Sequence, residues 1–411
     1  MGETRLVTLT IDTLVAGGDG LARDEDGRVV FVPHAAPGDR VRVRLVEERK
    51  QFARGEIDAL LAPSPERAEP PCPLFRERTC GGCAWQHVSA PAQAQAKDAI
   101  VASALRHAMG DGMVLMRIQT PAPPYRWRRR ARLHWVRPPG SVAAVVGLFA
   151  PRSHRVTKVE ACPQVEPAVE AALEPIHRLL APGLQQRGEI DLLADPSGRV
   201  QIAVRGPCLR GVAERLVGQG PIVGVIAADG IHGEADLELE PGHRVRADRF
   251  AQASRAGNDA LRAAVDSAAR PRDGARVLEL HAGSGNFTLA LCEGAAEVLA
   301  VDTRPGPVAS HPHLTWQTGE AEAVTRALAA AGERFDLVVL DPPREGARAL
   351  MAPLADLAPA RIVYVSCDPA TLARDLAELS QRGYVADLAQ PIDLMPQTSH
   401  VEVVVTLRRD S

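Results

Sequence analysis

The chain predicts a multi-domain α/β protein with a small N-terminal β-barrel, a central mixed α+β domain and a C-terminal doubly wound sheet. Three observations carry this. At 411 residues the chain is too long for one ordinary core. Residues 5–60 read as short strands separated by turns. After about residue 249, apolar strands alternate with helical or loop stretches, the pattern of a mainly parallel sheet. Hydrophobic content of 45% and charged content of 24% describe a globular protein. No run of 18 or more apolar residues and no apolar segment behind a basic start occurs, so the sequence suggests neither a membrane span nor a secretory signal. A cytoplasmic location is expected.

The first segment, 1–62, holds "RLVTLTIDTLV", "RVVFVPHA", "DRVRVRLVEE" and "ARGEIDALL", with turns "AGGDG" and "DEDG" between them. This spacing fits a small closed barrel of the oligonucleotide-binding kind, and equally a generic β-domain. Pro63, Pro65, Pro70, Pro71 and Pro73 mark a linker that opens the second segment, 63–248. Within it "AQAQAKDAIVASALRHAM" reads as a helix, 91–109, expected to pack on the C-terminal domain. Strands such as "ARLHWV", "VAAVVGLFA", "GRVQIAVRG" and "IVGVIAA" come after it.

The formal charge of −3 is unevenly spread. From Tyr125 to Lys158 there are nine Lys or Arg and no Asp or Glu. "PYRWRRRARLHW" interleaves Arg126, Arg128, Arg129, Arg130 and Arg132 with Tyr125, Trp127 and Trp135. Alternate residues of a strand can direct arginines to phosphates while aromatic faces stack unpaired bases. Arg126, Arg128, Arg130 and Arg132 are therefore candidate RNA contacts; a plain solvated face is the other reading.

Seven cysteines, an odd number behind no secretory signal, point to reduced thiols, a metal site or catalysis. Cys72, Cys80 and Cys83 fall within twelve residues and Cys162 lies far downstream. Four thiolates suit a 4Fe–4S cluster or structural zinc, and spacing does not choose between them.

In the third segment, 249–411, polar residues gather at strand ends: Glu279 to Asn286, Asp302, Glu320, Asp341 and Cys367. Ligands of open α/β sheets bind outside the carboxyl ends of the strands. Gly283-Ser284-Gly285 lets backbone approach a ligand, and Asp302 suits ribose hydroxyls. The third glycine of a dinucleotide motif is missing, so an adenosyl ligand without pyrophosphate fits better, with S-adenosylmethionine leading. Cys367, in "VSCDPATLARD", ends the run "RIVYV", and Glu402, in "PQTSHVE", opens a last strand expected to run antiparallel. One thiolate and one carboxylate beside a methyl donor are what methylation of uracil carbon 5 requires. The thiolate adds to carbon 6 and makes carbon 5 nucleophilic; the carboxylate then removes the carbon 5 proton.

"SCDPATLARD", "LDPPREG", "PQTSHVE" and "RFAQ" (Arg249 to Gln252) resemble the signatures of the S-adenosylmethionine-dependent RNA uracil-5-methyltransferase family. The resemblance spans the chain, since residues 1–60 look like the TRAM domain of some members. It implies a TRAM barrel (OB-like), a central iron–sulfur domain and a Rossmann-like class I methyltransferase domain. It makes Cys367 the nucleophile and Glu402 the base. Gln252, His281, Asn286, Asp302, Glu320 and Asp341 would bind the donor or hold the target base. "CGGC" with a remote "CP" favours a 4Fe–4S cluster on Cys72, Cys80, Cys83 and Cys162 over zinc. The expected partner is RNA, with 23S ribosomal RNA favoured over transfer RNA, and the expected state is a monomer.

Three positions depart from the family pattern. Strand one ends Glu279-Leu280-His281 instead of Asp-Leu-aromatic, Glu320 stands where Asp or Asn is usual, and "VDTRPGPVASHPHL" replaces a longer helix. The competing readings are a transfer RNA uracil-5-methyltransferase, an RNA cytosine-5-methyltransferase, and a non-catalytic RNA-binding protein with a degenerate methyltransferase fold.

Overall fold

The computed structural model describes residues 5–106, 108, 112–270, 274–304 and 310–410. The end of the expected helix 91–109 and the middle of the proline-rich 302–313 segment lie partly outside these residues.

The N-terminal six-stranded sheet closes on Leu9, Val30, Val32, Val41, Val43 and Ala53. The strand Arg40–Glu48 shows why. Its period-two alternation buries Val41, Val43 and Leu45 and leaves Arg40, Arg42 and Arg44 outside. Arg42 and Arg44 pair there with Asp58 and Glu56 of the adjoining strand. The sheet's edge strands, Leu6–Thr10 and Thr13–Leu14, do not pair with each other among the described residues, so the sheet is a half-barrel instead of the closed barrel expected, and it is bound firmly to the central segment. The wholly buried Asp39 carboxylate accepts from Ala36 N, Ser64 N and Arg67 Nε. Trp85, from the cysteine segment, donates its indole N–H to Gly18 O at 3.0 Å. Gly18 itself has φ +95°, and a Cβ on it would lie 2.7 Å from Ala84 Cβ. Only glycine fits that contact.

The central seven-stranded sheet runs in the order Val156–Lys158, Val145–Phe149, Arg130–Val136, Arg187–Ala194, Val200–Arg205, Ile222–Ala227, Gly230–Gly233. A hairpin, Leu237–Glu240 with His243–Val245, leads from it into the last domain.

The C-terminal sheet has eight strands, ordered Leu314–Thr318, Ala295–Asp302, Ala275–Leu280, Leu337–Leu340, Arg361–Ser366, Glu402–Arg409, Tyr384–Ile392, Val114–Leu115. The first five are mutually parallel, and Glu402–Arg409 is antiparallel to both neighbours. Alternate residues feed two cores. Leu278, Leu280, Val338, Leu340, Ile362 and Tyr364 pack on one face. Val277, Val339, Val363 and Val365 pack on the other, against Leu261 and Val265 of the helix Arg255–Ala269. The helix Ala90–Leu105 crosses from the central segment, and its Val101 and Leu105 enter the first core. No helix among the described residues is long and apolar enough to cross a membrane.

Candidate active site

Cys367 leaves the strand Arg361–Ser366 and sits one residue before Asp368, which caps the helix Pro369–Ser380 by accepting from Ala370 N and Thr371 N at 2.9 and 3.0 Å. Pro369 at the first helical position fits a place where no backbone donor is needed. The thiol is therefore held at a strand-to-helix turn, half-buried.

Because the strand Glu402–Arg409 runs antiparallel, Glu402 returns to the same sheet edge, directly before Val403, which pairs with Ser366. It is 5% exposed. Burial and the nearby Asp341 carboxylate raise Glu402 to about 8. Burial raises Asp341 to about 7, and burial together with Glu402 pushes the Cys367 thiol up to about 12. The strand register sets the ends that carry Asp341, Cys367 and Glu402 side by side, and burial there disfavours the charged form of each.

Sequence reading missed Arg344, although "LDPPREG" contains it. Its positive charge draws down both the Cys367 thiol and Glu402. Its Nη2 lies 3.5 Å from His400 Nε2. The loop that carries it is tied to the helix Pro369–Ser380 that follows Cys367. Thr371 donates to Arg344 O, Arg374 to Glu345 O, and Ala347 N to the buried Asp375 carboxylate. Gly346, φ +74°, makes this docking possible, because a Cβ there would lie 2.6 Å from Asp375 Oδ2. The motif's last glycine was the signal.

The segment ahead of Glu402 is clamped from the other side. Lys97 Nζ meets Asp393 Oδ1 at 2.5 Å and donates to Met395 O. Ala84 N and Trp85 N both donate to Gln397 O, and the Gln93 and Gln397 residues exchange two more hydrogen bonds of 3.0 Å. The cysteine segment thus holds the loop that delivers the carboxylate.

Around the next two strand ends, Gly283 N donates to Asp302 Oδ2 at 2.9 Å, and Arg304 N to Asp302 Oδ1 at 2.8 Å. His281 takes a positive φ of 59°; burial holds it below its usual range, against the pull of Asp302 and Glu320. Glu320 is exposed at the start of the helix Ala321–Ala330. Asn286 and Asn258 exchange two amide hydrogen bonds of 2.9 Å. Gln252 is buried beside exposed Phe250. Glu279, fully buried, has one oxygen on Thr288 and the other without a partner, and burial raises it to about 8.

Three buried acids with raised values give a stability signature. Glu279, Asp341 and Glu402 keep protons in the folded state that the unfolded chain releases above about pH 4.5. Stability therefore falls as pH rises toward their folded values. His34, His87 and His400, held near 4, 3 and 4 by burial, oppose this below about 6.5, where the unfolded imidazole gains a proton. Between pH 6.5 and 8 these histidines no longer oppose the three acids. The melting temperature of the donor-free protein is expected to drop across that window, and Glu279→Gln to flatten the drop. A rise there would contradict the assignment.

Cys72, Cys80, Cys83 and Cys162 line one cavity of about 70 Å³ with Gly82, Gln86, Gln164 and Arg128. Gly82 N donates to Cys80 Sγ at 3.4 Å. Among the described residues no group of three or more His, Cys, Asp or Glu is placed to hold a metal ion. Arg128 Nε and Gln164 Nε2 are buried without partners. The other arginines of the run differ in surroundings. The run contains no acid, but neighbouring elements supply them. Arg126 pairs with Glu170, Arg129 with Glu240, and Arg130 and Arg132 with Asp191. Arg130 lies 5.7 Å over the Phe250 ring, and Arg126 and Arg132 are exposed. Arg128 turns away, over Trp127 and against the cysteine cavity.

A mainly parallel sheet with an antiparallel strand beside its last parallel one, a glycine loop and acids at its carboxyl edge is the class of α/β fold that binds a nucleoside-type ligand at its strand ends. Residues 1–57 match the TRAM domain model, and residues 328–410 match that of tRNA (Uracil-5-)-methyltransferase. The chain is 33% identical to 23S rRNA (uracil(1939)-C(5))-methyltransferase RlmD of Klebsiella pneumoniae, over 98% of this chain and 96% of that one. It is 32% identical to the enzyme of that name from Salmonella typhimurium, over 98% and 96%. Among solved structures, tRNA (uracil-54, C5)-methyltransferase of Pyrococcus abyssi, in complex with S-adenosyl-L-homocysteine, shares the fold. Its TM-score is 0.71 at 18% identity, over 98% of this chain and all of that one. The chain belongs to the RNA uracil-5-methyltransferase family with an N-terminal TRAM domain. It is an S-adenosylmethionine-dependent enzyme acting on RNA.

Proposed function

We propose that this enzyme methylates carbon 5 of one uridine in 23S ribosomal RNA, the position named as uracil 1939 for its relatives, through a covalent bond to Cys367. The observation that carries the reading is the meeting of Cys367, Glu402, Asp341 and Arg344 at one sheet edge.

The chemistry comes from those neighbours. Burial and the carboxylates of Glu402 and Asp341 push the thiol up to about 12 even with Arg344 drawing it down. Arg344 is the cation that opposes those acids and favours the thiolate. The thiolate forms a bond to uracil carbon 6, and the electron pair moves to carbon 5 and oxygen 4. Carbon 5 takes the sulfonium methyl, releasing S-adenosylhomocysteine. Glu402 then accepts the carbon 5 proton, the carbon 5–carbon 6 double bond re-forms, and the thiolate departs. Gln252, His281, Asn286, Asp302, Glu320 and Asp341 hold the donor and the flipped base, an extrusion that costs roughly a few kcal/mol and less in a single-stranded loop. Arg126, Arg130 and Arg132 receive phosphates of the same RNA.

The four cysteines suit a 4Fe–4S cluster better than zinc: they surround a cavity instead of converging on one point, and a buried guanidinium beside them balances an anionic group. Bound there, a cluster would cross-link the cysteine segment to the strand near Cys162. Anaerobically purified protein is expected to hold about four irons per chain; one zinc would refute this. Substrate choice is tested by incubating the protein and labelled donor with 23S ribosomal RNA and with transfer RNA lacking modifications. Methyl incorporation at a single 23S uridine is expected, and incorporation into transfer RNA alone would overturn the assignment.

A further inference from the structure

The hairpin between the central sheet and the last domain carries a buried carboxylate that neither the reaction nor the fold's cores explain. Glu240 accepts from Arg129 Nη1 and Nη2 at 3.1 and 3.0 Å, from Asn258 Nδ2 at 3.2 Å, and meets His243 Nδ1 at 2.8 Å. His243 continues the chain, with Nε2 3.2 Å from Ser284 Oγ in the glycine loop. Ser284 Oγ in turn donates to Phe250 O at 3.3 Å. Two side branches reach the same walls. Asn258 holds Asn286 through their paired amides, and Arg129 Nε donates to Gln252 O at 3.1 Å.

One carboxylate therefore tethers three things. The first is the strand Arg130–Val136 through Arg129, whose backbone also donates to Ala253 O. The second is the 249–252 loop, and the third is the 283–286 loop. All members are 9% exposed or less except Phe250 and Asn286. Against burial, which raises it, His243 and Arg129 hold the Glu240 carboxylate at about 2, so its charge is fixed throughout the working range of pH. A satisfied buried network of this kind fixes geometry, because moving one member strands the others without partners.

We infer that Glu240 and His243 are positioning residues that couple the RNA-facing strand to the methyl-donor loop, so that RNA and donor strengthen each other's binding. Neither residue touches the reacting atoms. RNA drawn onto Arg130 and Arg132 steadies Arg129 on the opposite face of the strand. Arg129 steadies Glu240, and His243 sets Ser284 and with it the loop. Linkage then requires the donor to raise RNA affinity by the same factor. The inference rests on the donor lying at the 283–286 loop, as proposed above.

Calorimetric titration with S-adenosylhomocysteine, alone and with a 23S ribosomal RNA fragment containing the target uridine, tests it. Wild-type protein is expected to bind S-adenosylhomocysteine more tightly with RNA present, by a factor on the order of 5 to 150, the common range for coupled sites. His243→Ala and Ser284→Ala are each expected to bring that factor close to one while leaving RNA affinity without donor unchanged. A generally loosened structure would instead weaken RNA binding and lower the melting temperature. Coupling that survives in both variants, or is absent from the wild type, overturns the inference. Wild-type protein that binds no S-adenosylhomocysteine would instead overturn the proposed function.

Discussion

Cys367→Ala is expected to form no covalent adduct with RNA carrying 5-fluorouridine at the target, whereas the wild type is expected to form one. Fluorine cannot leave carbon 5 as a proton does, so the reaction halts after methyl transfer with sulfur still on carbon 6. Without the thiol there is nothing to add, and turnover on ordinary RNA falls on the order of 10⁶-fold, the scale seen on removing a covalent nucleophile. The loss is chemical, since Cys367 is half-buried at a helix-capped turn whose cap is Asp368. Arg344→Gln probes the same step from outside. With burial and two acids pressing the thiol upward and no cation opposing them, adduct formation slows and its pH profile moves to higher pH than in the wild type. Denaturing gels with labelled RNA read both outcomes. An adduct in Cys367→Ala, or an Arg344→Gln rate that keeps the wild-type pH profile, would sink the assigned roles.

Glu402→Gln is expected to behave in the opposite way and to trap an adduct on ordinary uridine RNA. The amide cannot take the carbon 5 proton, so the methylated base cannot expel sulfur. Turnover falls by about 10² to 10⁴, the usual contribution of a positioned base, while the first methyl transfer survives. The near-equal volume of glutamine keeps the 5%-exposed site filled. In the wild type, turnover should climb as pH rises toward 8, because burial and Asp341 raise Glu402 to about that value and only its ionised form accepts a proton. Free turnover by Glu402→Gln would remove the residue from the reaction.

How much was legible in the sequence depends on the range of the signal. The N-terminal β-sheet domain and the doubly wound sheet were readable because alternation in "DRVRVRLVEE" and strand-helix repetition after residue 249 are local patterns, whereas the expected closure into a full barrel is not what the sheet order shows. Cys367 and Glu402 could be paired because an antiparallel last strand brings its start to the edge where the preceding parallel strand ends. Arg129 and its neighbours could not be resolved. In the sequence they form one basic run without acids; in the fold, pleating sends Arg129 to Glu240 and Arg130 and Arg132 to Asp191, all distant in the chain. The clamp of Gln93 on Gln397 spans 304 residues and leaves no trace in either segment alone. Arg344 is obscure for another reason: in "LDPPREG" its role depends on the fold of the loop, which only Gly346, a position of close approach, foreshadows.

The TRAM barrel and the cysteine segment also gain a physical relation to catalysis. Trp85 joins Gly18 of the barrel to Gln397 of the loop before Glu402, by its indole N–H and its backbone N–H respectively. Loss of order around the cysteines would thus reach Glu402 without touching the sheet.

The most direct test is peptide mass spectrometry of the adduct that Glu402→Gln accumulates with S-adenosylmethionine and 23S ribosomal RNA. One modified peptide is expected, with a uridine nucleotide joined to Cys367 and heavier by one methyl group. A nucleotide on any other residue, or an adduct at Cys367 that never carries the methyl group, would contradict covalent catalysis by this thiol.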